Sequence, residues 1–320
     1  MSRQDVLKRL TSSERTLIMG VLNITEDSFS DGGRYLDPHQ AFAHAKRMIS
    51  EGADIIDIGA ESTRPGAIRV LEEIERKRIV TAVKLLHEAF PEVALSIDTT
   101  RASVAQAALE CGAHIINDVS GGQLDSQMAD VVAQSDCLYI VQHWRAWLGK
   151  DSERDTTYYV NGVVRDTYDE LKAQVEAVLS HGVKPQQIII DPGLGFSKPT
   201  IDHNLPLLMH TQLFTHMGYP VLIGASRKRF VAGLVHEAGL DDNEETRDDM
   251  TAALSVIAAQ QNAWAVRVHN VERNRAAVQA VIASRGYNDV LSLEHNDESD
   301  TIVPNNSDDS NNSHTTVIES

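Results

Sequence analysis

Apolar and polar positions alternate in a repeating rhythm between residues 17 and 269. An apolar run of strand length breaks off on a residue with hydrogen-bonding or ionic chemistry, and sequence of helical pattern follows most such runs. LIMGVLN ends at Asn23, DIIDIGAEST at Thr63, ALSID at Asp98 and HIIN at Asn117. YIVQH ends at His143, IIID at Asp191, PVLIGASRK at Lys228 and AVRVH at His269. One polar strand end needs no explanation, because strands must stop somewhere. Eight in series are the pattern of a (β/α)8 TIM barrel, whose active site is built from the carboxyl ends of its strands.

The intervening segments support that architecture. Residues 39–51 place Phe42, Ala45 and Ile49 on one helical face, at spacings of three and four. Residues 72–89, 102–111, 166–181, 203–217, 246–261 and 271–284 carry a similar pattern, and 126–135 a shorter one. Gly52, Gly112, Gly182 and Gly218 close helical stretches shortly before the next strand. Strand, helix and glycine in this order imply parallel pairing with crossover helices. An open doubly wound sheet is the competing architecture. The eight units, and the lack of G-x-G-x-x-G after the first strand, favour the barrel. The expected organisation is an extension over 1–15, a barrel over 16–288 and a disordered acidic tail over 289–320, rich in Asn, Ser and Asp.

Charge and composition narrow the function. The formal charge of −17 over 320 residues excludes a broad nucleic-acid interface, which needs a basic footprint. Residues 289–320 hold eight acids and no Lys or Arg, so the rest of the chain carries −9, an ordinary balance for an acidic domain. The two cysteines, Cys111 and Cys137, sit in apolar stretches at no metal-binding spacing and are expected as buried thiols in a reducing compartment. The charged start MSRQDVLKRL does not resemble a signal peptide, and no apolar stretch reaches the ~20 residues of a membrane span. A cytoplasmic location, with no membrane partner, is expected.

The strand ends suggest two subsites. Arg267 and His269 alternate with Val266 and Val268, so both polar side chains project to the same side and suit a multiply charged oxyanion. Ser226, Arg227 and Lys228 end the neighbouring strand, where barrels of this kind bind phosphate. Asp98, Asn117 and Asp191 present two carboxylates and an amide to the barrel mouth, a donor and acceptor set for a flat, nitrogen-rich ring. A metal site is the rival use of two aspartates. Asp191 opens DPGLGF, in which Gly193 and Gly195 let the backbone approach a ligand and Phe196 offers an aromatic wall. Two long loops, 24–38 and 60–71, follow the first two strands, as lids over a catalytic face do.

These residues resemble the dihydropteroate synthase family. The resembling segments are MGVLNITEDSFSDGG (19–33), GADIIDIGAESTRPGA (52–67), SIDTTR (96–101), GAHIINDVSGG (112–122), DPGLGFSK (191–198), GASRKRF (224–230) and RVHNV (267–271). The resemblance runs from about Thr16 to about Ile282. It implies a homodimeric (β/α)8 barrel that joins para-aminobenzoate to 6-hydroxymethyl-7,8-dihydropterin diphosphate, releases diphosphate with Mg²⁺ assistance and is inhibited by sulfonamides. It implies that Asp98, Asn117, Asp191 and Lys228 hold the pterin. Asn23, Thr63, Arg267 and His269 would hold the diphosphate, with Asn23 also on Mg²⁺. Phe29, Thr63, Arg64, Pro65, Phe196 and Ser226 would shape the aminobenzoate pocket. Glu26 stands where the family usually has Pro, and Gln142 stands where it usually has Met, which alters an apolar wall. No protein nucleophile is required, so Ser28, Ser62 and Ser226 are not read as acyl-transfer serines, and no G-x-S-x-G is present. A pterin-binding methyltransferase barrel and a non-catalytic pterin binder are the rival readings.

Overall fold

The computed structural model describes residues 2–25, 38–61, 69–145 and 156–294. Eight strands form one parallel sheet. They are β1 (Leu17–Asn23), β2 (Ile55–Gly59), β3 (Ala94–Asp98), β4 (Ile115–Asp118), β5 (Leu138–Gln142), β6 (Ile188–Asp191), β7 (Leu222–Ile223) and β8 (Ala265–Val268). Their order is β6-β5-β4-β3-β2-β1-β8-β7, and a parallel bridge between Ile190 and Val221 joins its two ends. The sheet is therefore a barrel, as its strand ends implied.

The two-residue period of the strands sorts side chains between lumen and helices. Leu17, Met19, Ile55, Ala94, Ile115, Leu138, Ile140, Ile189, Leu222 and Ala265 form one buried cluster. Their neighbours Ile18, Ile56, Leu95, Ile116, Tyr139, Ile190, Ile223 and Val266 belong to a second cluster that includes helix residues. Continuing the inward parity along each strand leads to Asn23, Asp57, Asp98, Asn117, Gln142, Asp191 and Arg267. The lumen is thus apolar at the amino ends of the strands and polar at the carboxyl ends.

The first helix, α1 (Arg3–Thr11), lies in what was expected to be an extension. Ser2 caps it: its hydroxyl accepts from the Asp5 N–H at 3.2 Å, and Asp5 accepts from the Ser2 N–H at 3.1 Å. Val6 and Leu10, one turn apart, are buried in the lower lumen cluster, and the Trp264 indole donates to the Leu10 carbonyl at 3.1 Å. This helix belongs to the closed end of the barrel. Its few apolar positions hid it in a charged segment.

Around the sheet run α2 (Pro38–Glu51), α3 (Glu72–Ala89), α4 (Ala102–Glu110), α5 (Met128–Ala133), α6 (Val163–Ser180), α7 (Ile201–Met209), α8 (Thr211–Thr215), α9 (Arg229–Glu237), α10 (Glu244–Gln260) and α11 (Val271–Glu294). The expected helix 203–217 is broken at His210 into α7 and α8, and α9 was not expected. Phe230, Val231 and Val235 give α9 its buried face. The expected strand end at Lys228 is also shortened, because Gly224–Lys228 leaves the sheet through a turn with Arg227 at φ 56°. The compact barrel unit spans Met1–Ile282. Helix α11 continues to Glu294, past the expected boundary at 288; the rest of the expected tail, 295–320, lies outside the described residues. Among the described residues no helix is long and apolar enough to cross a membrane.

Candidate active site

Part of the polar layer of the lumen is one connected group centred on Asp57, which is fully buried on β2. Its Oδ1 accepts from the Ser96 hydroxyl at 2.6 Å. Its Oδ2 accepts from the Asn117 amide at 3.1 Å and from Arg267 Nε at 2.5 Å. Arg267 then donates through Nη2 to Asp98 Oδ2 at 2.6 Å. Four strands are tied together by this group. Asp98 Oδ1, also buried, has no partner among the described residues. Burial pushes the Asp98 carboxyl up to about 7, although Arg267 pulls it back, with Asp57 and Asp118 pushing it further up. A buried acceptor left in this state costs about 1–3 kcal/mol, which a ligand N–H would recover.

On the opposite wall, Asp191 ends β6 and accepts from the Gly193 N–H at 2.7 Å. Burial raises its pKa, against the pull of Lys228. Gly224 opens the space between them: a side chain there would meet Lys228 Nζ at 3.7 Å and both Arg267 Cβ and Asp191 Oδ2 at 3.9 Å. Lys228 donates to the Leu194 carbonyl, and its ammonium lies 4.7 Å from the centre of the Phe196 ring. Burial pushes Lys228 down to about 8, with Asp191 and Asp98 opposing. Gly193 and Gly195 have φ of 69° and 76°, and a Cβ on Gly193 would stand 2.5 Å from the His143 carbonyl. The left-handed backbone and this close approach require glycine here.

A third group joins the segments that follow β7 and β8. The Ser226 hydroxyl and His269 Nδ1 are 2.9 Å apart, and the His269 N–H donates to the same hydroxyl at 3.2 Å. Asn23 ends β1 opposite Gly59, with its Oδ1 3.6 Å from where a Gly59 side chain would begin. Among the described residues no group of three His, Cys, Asp or Glu could hold a metal ion.

The pterin binding enzyme family model matches residues 19–269. The chain is 46% identical over 265 residues to the dihydropteroate synthase of Mycobacterium leprae, covering 82% of this chain and 90% of that one. Two solved structures of the Xanthomonas albilineans enzyme superpose on it. The one with 4-aminobenzoic acid has TM-score 0.76 and 34% identity, and the one with 7,8-dihydropteroate has TM-score 0.74 and 31% identity. Each covers 85% of this chain and is itself 94% covered.

The chain belongs to the dihydropteroate synthase family. By that membership it is an enzyme, a transferase. Of the residues that the resemblance marked, the structure brings Asp98, Asn117, Asp191, Lys228 and Arg267 around the polar end of the lumen. Ser226 and His269 form a separate pair, so Arg267 and His269 are divided between two hydrogen-bonded groups. Arg227 turns away, because its left-handed φ carries the side chain to Asp248, which it meets through two 2.8 Å hydrogen bonds. It is not part of the basic cluster expected for the SRK triplet. Phe29, Thr63, Arg64 and Pro65, with Glu26, lie outside the described residues.

His143 departs from the expectation that each strand end faces the mouth. Strand β5 stops at Gln142, and the next residue points outward, where its Nε2 is 3.0 Å from Glu170. Gln142 takes the inward place, buried, with its amide donating to the Val119 carbonyl at 3.3 Å. Sequence reasoning missed Asp57 and Ser96. Ser96 lies two residues before the marked Asp98 on the inward parity, and for Asp57 the available signal was an acid within the run IIDIG.

Proposed function

We propose that the chain condenses 6-hydroxymethyl-7,8-dihydropterin diphosphate with para-aminobenzoate, giving 7,8-dihydropteroate and diphosphate. The observation that carries this reading is the buried Asp98 Oδ1, which has no partner among the described residues. It is an acceptor awaiting a donor, in a lumen that also offers Asn117 and Asp191. A pterin edge supplies adjacent ring N–H and exocyclic amino donors to such acceptors. Lys228 completes the ring site. Its cation is held against Phe196; Phe196 and Ser226 are assigned to the para-aminobenzoate pocket, to which the family resemblance also assigns Phe29, Thr63, Arg64 and Pro65.

The reaction breaks the bond between the pterin methylene carbon and the diphosphate oxygen, whose electron pair leaves with diphosphate. The arylamine nitrogen then forms the new carbon–nitrogen bond and loses a proton. His269, Arg267, Asn23 and Thr63 are assigned to the departing anion, where preset donors lower the barrier. Asp98 and Asp191 hold the ring and stabilise the electron-poor carbon. No protein nucleophile enters. Asn23 offers a single amide oxygen, which fits Mg²⁺ carried by substrate phosphates and waters and not a dedicated protein cage. When bound, the ion would neutralise charge on the leaving diphosphate. We further assign a homodimer, as the family resemblance implies; light scattering of the purified chain tests that assignment.

Mixing the protein with pterin diphosphate, para-aminobenzoate and Mg²⁺ tests the reaction. Stoichiometric diphosphate and dihydropteroate are expected, each requiring both substrates. Pterin binding without diphosphate release would return the chain to the non-catalytic reading, and methyl transfer to the methyltransferase one.

A further inference from the structure

Outside the barrel lumen the DPGLGF segment meets a second buried cation, Lys198. It is 1% exposed, and its Nζ lies 3.2 Å from the Gly193 carbonyl, 3.1 Å from the Phe196 carbonyl and 2.9 Å from His143 Nδ1. The far side of that imidazole, Nε2, is 3.0 Å from Glu170, which Arg145 also grips at 2.8 and 2.6 Å. The Tyr159 hydroxyl donates to the Ser197 carbonyl at 3.2 Å, and Arg145 lies over the Tyr159 ring at 3.8 Å.

The proton positions follow from the partners. Both carbonyls can only accept, so two of the lysine hydrogens are committed to them. An imidazole with hydrogen on Nδ1 alone would turn the bare Nε2 lone pair toward the Glu170 carboxylate, two acceptors at 3.0 Å. Hydrogen on Nε2 instead donates to Glu170 and leaves Nδ1 to accept the third ammonium hydrogen. Burial, with Lys198 adding to it, pushes the His143 imidazole down to about 3, so the ring is neutral at physiological pH. Glu170, raised by burial but held by His143 and Arg145, is brought down to about 2. Burial pulls the Lys198 ammonium well below its ordinary pKa, against the charge of Asp191; because burial depresses the imidazole as well, the amine, intrinsically the stronger base by about 4 pH units, keeps the shared proton.

We propose that Lys198, His143 and Glu170 form a charge relay that positions the Gly193–Phe196 segment for para-aminobenzoate. Lys228 takes the Leu194 carbonyl from the lumen side, while Lys198 takes the carbonyls on either side of it from outside. Asn204 fastens the same segment, accepting from the Gly195 N–H at 2.7 Å and donating to the Lys198 carbonyl at 2.8 Å. The neutral imidazole links the buried ammonium to the Glu170 carboxylate, while Asp191 supplies the stronger opposite charge from the ring site. These three are positioning residues: none of them faces the lumen.

The proposal rests on the assignment of Phe196 to the aminobenzoate pocket, and the experiment separates the two. In ¹⁵N spectra of the full-length protein, the His143 ring is expected as the Nε2–H tautomer, without titration between about pH 5 and 9. Lys198→Met is expected to raise the KM for para-aminobenzoate about tenfold, while kcat and the KM for pterin diphosphate change less than about threefold, because only one subsite is misplaced. Glu170→Gln, at the more exposed end of the relay, keeps a hydrogen-bond acceptor but not the charge, and should move the same KM about threefold. That variant decides the matter if Lys198→Met does not fold. An Nδ1–H tautomer in the parent overturns the relay. A fall in kcat and both substrate affinities together overturns selective positioning, as does an unchanged aminobenzoate KM in either variant when Phe196→Ala raises it. If Phe196→Ala leaves that KM unchanged, the pocket assignment fails while the tautomer result stands on its own.

Discussion

Replacing Asp98 with Asn separates what the polar lumen does for the ligand from what it costs the fold. Asn can still accept from Arg267 Nη2, but its amide nitrogen then occupies the place of Oδ1, and a donor faces the ring donors. Losing a hydrogen bond to a charged acceptor costs about 1.5–3 kcal/mol, and two opposed donors add to that. A total near 3 kcal/mol corresponds to about 150-fold in kcat/KM for pterin diphosphate. Stability should move the other way. The Asp98 carboxyl is raised to about 7 in the folded chain by burial, against ~3.9 for an unfolded aspartate. Between those values the folded state binds more protons than the unfolded one, so stability falls as pH rises. The penalty is absent below about pH 4, complete above about pH 7, and a few kcal/mol at most. Asn carries no such charge, and Arg267 keeps Asp57 as its partner. The Tm of Asp98→Asn should therefore match or exceed the parent at pH 8, and its decline from pH 5 to pH 8 should be shallower. Steady-state diphosphate release and thermal melts at both pH values are sufficient measurements. A kcat/KM within threefold of the parent, or a Tm at pH 8 several degrees below it, would refute the reasoning.

Other substitutions test other parts of the site and scaffold. Arg267→Ala and His269→Ala should each lower kcat/KM for pterin diphosphate by about 10²–10³-fold through lost anion stabilisation, and unchanged values would remove them from the leaving-group site. Asn23→Ala should raise the Mg²⁺ concentration needed for half-maximal turnover; an unaltered Mg²⁺ titration would detach it from the metal. Leu10→Ala should destabilise the chain by about 2–5 kcal/mol in denaturant melts while both KM values hold, because α1 packs at the closed end of the barrel. Altered substrate affinity without lost stability would contradict that placement.

The sequence by itself determined the barrel and much of its mouth, because strand parity and chain order are local properties. A strand shows one face every second residue, so apolar runs ending in Asn23, Asp98, Asn117 and Asp191 declare which groups reach the carboxyl end. Partnership across the lumen is not local. That Arg267 would bridge Asp57 and Asp98, residues 210 and 169 positions away, depended on barrel closure and on which buried charges came within reach. Closure likewise decided that α1 would bury Val6 and Leu10, since its segment carries too few apolar positions to announce a docking face. Where a strand stops also had to await the fold. A single step separates Gln142, inside, from His143, outside, because each step along a strand reverses the side-chain direction. Arg227 left the site for a related reason, a left-handed backbone at a residue that is not glycine and so gave no sign of it. That Asp98 Oδ1 has no partner among the described residues, while Asn117 donates to Asp57 and Arg267 to both Asp57 and Asp98 Oδ2, is an arrangement that exists only once eight strands share one interior.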